Sequence, residues 1–80
     1  MGKKVIKIGT KVRHTLWSGK DLVGAVTRIE RCKCGGKYGK EIKQVDFDKR
    51  VDYAGNTECV FDLDNGHWCY GSEIKEIVEV

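Results

Sequence analysis

Apolar and polar positions alternate along most of this chain with a period of two, the spacing of strands that bury one face. Residues 11–16 set Val12, His14 and Leu16 on one side. Residues 22–30 set Val23, Ala25, Thr27 and Ile29 together, with Gly24 suited to a bulge or sharp bend. Residues 42–48 contribute Val45 and Phe47, and residues 58–64 place Cys59, Phe61 and Leu63 opposite Glu58, Val60, Asp62 and Asp64. Glycine-bearing turn signals at 17–20, 35–36, 54–56 and 64–66 separate these runs. No apolar stripe of helical spacing outlasts one turn. The pattern predicts an all-β chain of short strands.

The order of the pieces resembles an SH3-like barrel of the Tudor or KOW kind. The resemblance rests on IGTKVRHTLWSGKDLVGAVTRIE near the start and VFDLDNGHWCYGSEIKEI near the end, about two thirds of the chain. It implies about five barrel strands, a second strand of the Gly-x-Val-x-x-Ile type, an acidic hairpin, a short helical turn at 71–74 and a last strand over 75–80. Residues 31–57 are longer than the usual connection between the second and third barrel strands. They are expected to carry an extra hairpin built on EIKQVDFD and KRVDY, within a single domain spanning 1–80.

The hairpin at 64–67 has two readings that exclude each other, because a slip of one residue moves every side chain to the other face. A two-residue Asn65-Gly66 turn puts Phe61, Leu63, Trp68 and Tyr70 on one apolar face. A three-residue turn with Gly66 left-handed puts Cys59 and Cys69 on one face and turns Trp68 and Tyr70 outward. The two-residue turn is favoured, because it gives a small core its aromatic bulk.

Length and composition set the remaining bounds. Eighty residues make one domain whose core is marginal without a staple. No apolar run is long enough to span a membrane as a helix, and the first residues lack the apolar core of a secretory signal, so a cytoplasmic location is expected. Four cysteines there are reduced thiols or metal ligands. Cys32, Cys34, Cys59 and Cys69 are the candidate ligands of a structural zinc, although Cys32-x-Cys34 is one residue shorter than the common zinc knuckle. The competing reading has four ordinary thiols, two of them packed as small hydrophobes.

Charge divides the chain unevenly. Residues 1–40 hold eleven Lys or Arg against two acids, and residues 41–80 hold four against ten. Lys11, Arg13, Lys20, Arg28, Arg31, Lys33, Lys37 and Lys40, with Tyr38 among them, suit single-stranded nucleic acid: cations meet phosphate and a ring stacks on a base. The alternative is that these charges pair with carboxylates across the sheet. The acids Asp46, Asp48, Asp52, Asp62 and Asp64 suggest a second role, a module that docks on a protein. One form is a phage or mobile-element protein that blocks a host nuclease complex. Exposed strand edges also admit a homodimer. Trp17, Tyr38, Trp68 and Tyr70 are the rings available for an aromatic cage, as the resemblance implies. His14 is expected on the inward face, bonded to a backbone group, and His67 beside Asp64 at the surface. With no phosphate-loop motif and no oxyanion hole, an enzyme is not expected.

Overall fold

The computed structural model describes residues 4–32, 38–51 and 58–78, and the side chains of Cys32 and Tyr38 lie outside that description. Within it the chain forms eight strands: β1 (Val5–Lys7), β2 (Lys11–Thr15), β3 (Asp21–Cys32), β4 (Tyr38–Ile42), β5 (Gln44–Asp46), β6 (Cys59–Leu63), β7 (Trp68–Tyr70) and β8 (Ile74–Val78). The all-β class expected from the alternation is what the chain adopts.

All the pairings are antiparallel. The larger sheet runs β7-β6-β3-β2-β8, with β4 added on β3, and β1 pairs with β5 in a second ladder. Five strands thus form one continuous antiparallel ladder, and it does not close into a barrel. β7 and β8 are its two ends, joined in sequence by a 3₁₀ turn over Gly71–Glu73 and not hydrogen-bonded to each other. That open seam positions the site described below.

The segment after β3 departs from the expected inserted hairpin. β4 turns back along β3, then a single residue, Lys43, switches the chain to β5 beside β1. The two short strands therefore serve different sheets. Of the expected second arm, residues 49–53, Lys49 ends a 3₁₀ turn over Phe47–Lys49 and Arg50 caps it, while residues 52–57 lie outside the described residues.

β3 is the spine, and its side-chain phase changes partway. Gly24 and Val26 face inward, Val23 is 48% exposed, and Ile29 is again buried. The register against β6 shifts between Val26 and Arg28. A bulge there, rather than at Gly24, adds the residue that turns Ile29 back to the core. The expected face of Val23, Ala25, Thr27 and Ile29 is thus correct only at its last member.

The core unites Ile6, Val12, Val26, Ile29, Cys59, Phe61, Leu63, Cys69 and Ile74, with Ile42, Val45, Phe47 and Ile77 packed against it. Burial of large apolar side chains stabilises the fold by roughly 1.5–3 kcal/mol each. Arg50 ties the periphery to this core. Its guanidinium lies 3.9 Å from the Phe47 ring centroid and donates to Phe47 O at 2.6 Å and Ile74 O at 3.1 Å. Its own carbonyl accepts from the amides of Glu58 and Cys59. Gly71 packs so closely here that a Cβ would stand 2.1 Å from Arg50 O.

Candidate functional site

The β6–β7 hairpin decides which aromatic rings reach the surface. Phe61 lies opposite Cys69, Asp62 opposite Trp68 and Val60 opposite Tyr70. Gly66 has φ +84°, and Leu63 N–H donates to His67 O at 3.0 Å. This is the three-residue turn, so the favoured two-residue register is corrected. Two contacts select it. Asn65 Oδ1 accepts from His67 N–H at 3.0 Å, and Asp64 clasps Ala25 through both its amide and its carboxylate, each at 2.9 Å. The bulk expected of Trp68 and Tyr70 comes instead from Ile6, Ile29 and Ile74 on other strands.

Trp68 is therefore 52% exposed and Tyr70 41%, with their rings edge-to-face at 5.0 Å between centroids. Trp17, in the turn after β2, is wholly exposed. With His14, Thr15, Leu16 and Glu73 these rings line a hollow of about 210 Å³ at the seam. β7, at one end of the sheet, and β2 contribute to it, with Glu73 from the turn that joins β7 to β8. Glu73 Oε1 accepts the Tyr70 amide at 2.8 Å, which holds the carboxylate at the edge of the hollow.

His14 lies beneath this surface and is fully buried. Its partner is a side chain, not the backbone group expected. Asn65 Nδ2 stands 3.2 Å from His14 Nε2 and 3.3 Å from Val23 O. Because Asn65 Oδ1 is committed to the His67 amide, Nδ2 is the donor and Nε2 must accept. This network assigns the imidazole proton to Nδ1, an atom with no hydrogen-bond partner among the described residues. Burial lowers the His14 pKa, and nearby His67 lowers it further, against smaller opposing effects of Glu73 and Asp21. The ring is neutral at physiological pH. His67, its own ring 6.4 Å from that of His14, is exposed at the turn as expected.

The basic residues singled out in the sequence are dispersed over several elements. Arg13 lies between Asp21 at 3.1 Å and Glu76 at 2.6 Å. Arg28 faces Glu30 and Glu41, both at 3.7 Å, and Arg31 Nε donates to Glu58 at 2.7 Å. Each arginine is thus matched by a carboxylate, as cross-sheet pairing anticipates. Lys11, Lys20 and Lys40 are exposed and in no ion pair among the described residues. Lys33 and Lys37 lie outside the described residues, as does the Tyr38 side chain.

The acidic candidates do not share one sheet. Asp46 ends β5 and Asp48 follows it, Asp62 lies on β6 between Arg28 and Trp68, and Asp64 binds the Ala25 amide. Asp52 lies outside the described residues.

Of the four candidate metal ligands, Cys59 and Cys69 are buried in the core. Burial pushes the Cys69 pKa up to about 12, so the thiolate a zinc ion requires is disfavoured there. Cys34 and the Cys32 side chain lie outside the described residues, and no group of metal-binding side chains occurs among those described. The two core thiols do not fit a zinc site by themselves.

The hollow was the part least visible in the sequence. Glu73 and His14 carry no spacing motif, and Trp17 reads as a turn residue. The visible signal was the pair of hairpin registers, one of which exposes Trp68 and Tyr70. Comparison with known proteins finds no family model, curated protein or solved structure that matches the chain.

Proposed function

We propose that this protein is a non-enzymatic binding module that takes up single-stranded nucleic acid at the open seam of its sheet. The observation that carries this reading is the grouping of three surface rings, Trp17, Trp68 and Tyr70, around one hollow. Exposed rings on a small β scaffold stack on unpaired bases whatever the sequence. Lys20 closes the turn that carries Trp17, its carbonyl accepting from Leu16 N–H at 2.7 Å. Lys75 follows Glu73 by two residues, and both lysines are exposed. Arg13 offsets part of the charge of Asp21 and Glu76 nearby. The buried and protonated Cys69 supplies no nucleophile, in keeping with a binding role. The interface so proposed differs from the basic surface read in the sequence: stacking supplies most of the affinity and lysines a modest electrostatic share.

A second reading, docking on a protein, is favoured by the same rings and by the carboxylate-matched arginines. Tyr and Trp anchor protein interfaces, and Asp62 beside Trp68 would meet a basic partner. In this reading the partner is a host complex such as a nuclease.

Fluorescence anisotropy with single-stranded and duplex oligonucleotides at two salt concentrations tests the proposal. Single strands are expected to bind better than duplex. The slope of log K against log salt should be shallow, about −1.4 for two phosphates met by Lys20 and Lys75. No binding at low salt, together with capture of one defined protein that Trp68→Ala abolishes, would decide for the second reading.

A further inference from the structure

The seam hollow is lined unevenly, and that unevenness defines its ligand. Its walls are the rings of Trp17, Trp68 and Tyr70. Its polar groups are the His14 imidazole and the Glu73 carboxylate. The Asn65 network leaves His14 with an Nδ1–H donor that meets no acceptor among the described residues. Glu73 Oε1 already accepts the Tyr70 amide, but a carboxylate keeps further lone pairs for a ligand donor. One neutral donor and one anionic acceptor thus sit between aromatic faces.

The geometry points to a seat for a single unpaired nucleobase. The base stacks on the rings, accepts from His14 Nδ1–H through a carbonyl oxygen or ring nitrogen, and gives an N–H to Glu73. This rests on the single-strand reading above and adds the position where one base is held. A methylated ammonium would suit the rings and the carboxylate, but it has no acceptor for the His14 proton. A phosphate would meet that proton but face the charge of Glu73. Drug-sized ligands occupy pockets of about 300–1,000 Å³, so a hollow of about 210 Å³ suits one planar group. His14 is sealed from water in the free protein. A small turn of the half-exposed Trp68 or Tyr70 ring gives a base edge access to Nδ1. Binding then satisfies a donor that burial leaves unmet.

The test uses three labelled strands of about nine nucleotides, within the usual site size: one fully abasic, one abasic with a single central uracil, and oligouridine. At low salt the single base is expected to tighten binding by about 10-fold over the abasic strand, the lower range for one stacked base. Tyr70→Ala and Trp68→Ala, both surface changes checked for folding by circular dichroism, should abolish that gain. The His14 Nδ1–H resonance should sharpen and move downfield with the base-bearing strands only. Oligouridine bound more tightly than the abasic strand, with no gain from the single uracil, overturns the one-base seat while the single-strand reading survives; equal affinity for all three strands overturns the stacking on which that reading rests. No binding of any strand overturns that reading as well. A base-dependent gain without a change at His14 overturns the hydrogen-bonded seat.

Discussion

The side-chain amide of Asn65 stands 3.2 Å from Nε2 of His14, a residue 51 positions earlier in the chain. Because Asn65 Oδ1 holds the His67 amide, the contact presents a donor to His14 and sets its tautomer. Asn65→Asp replaces that donor with a carboxylate, which favours the charged imidazolium. The His14 pKa should rise from its lowered value, as read by NMR titration of the ring carbons. An unchanged titration would show that Asn65 does not control the ring. Gly24→Ala should act on the same contact, since a Cβ at Gly24 would lie 2.8 Å from Asn65 Nδ2.

Stability should depend on pH through His14. Its pKa is lowered in the fold from an ordinary value near 6.5, so between the folded and unfolded values the unfolded chain binds more protons. The stabilisation is complete above the unfolded value, declines as pH falls below it, and stops declining below the folded value. Thermal melts from pH 8 to pH 5 should therefore show a falling Tm, with the acid-side slope reduced in His14→Gln. Equal slopes in the two proteins would remove His14 as the cause.

Gly71→Ala should be among the most damaging single-methyl changes in the chain. The added Cβ would stand 2.1 Å from the Arg50 carbonyl oxygen and 2.8 Å from its carbon. Both atoms are backbone, and that oxygen also accepts from Glu58 and Cys59. A loss of about 3 kcal/mol, the upper part of the overpacking range, is expected by urea denaturation. A loss below about 1 kcal/mol would mean that the 3₁₀ turn moves freely away from Arg50.

The core thiols should be inert while the protein is folded. Cys69, with its pKa pushed up to about 12, stays protonated at pH 8 and lies 1% exposed beside Phe61 and Leu63. Iodoacetamide followed by peptide mass mapping should label Cys59 and Cys69 in urea but not in buffer. A chelator should leave the melting curve unchanged. A melt lowered by chelator, with zinc in the native mass spectrum, would reinstate a metal staple.

Much of the fold is legible in local alternation because burial on one sheet face selects the residues. Val12 and His14 on β2, and Cys59, Phe61 and Leu63 on β6, read correctly from spacing alone. β3 is instructive in the other direction. Strict alternation assigned Val23 and Thr27 to the core, whereas the Gly-x-Val-x-x-Ile spacing holds the inward set of Gly24, Val26 and Ile29. A three-residue step inside a strand is the trace of a bulge, and only pairing with β6 fixes where the extra residue sits.

The alternating chain by itself determined an all-β fold and the inward faces of β2 and β6, because solvent sorts side chains locally with the period of the strand. It left the site open. Whether Trp68 and Tyr70 fill the interior or reach the surface depended on one residue of register, and that was decided by contacts reaching across the sheet: Asp64 on Ala25, Asn65 on His14. The same holds for the arginines of β2 and β3, which read as a cationic surface until neighbouring segments brought carboxylates to them. Such contacts join residues tens of positions apart, so their free energy exists only once the sheet has formed.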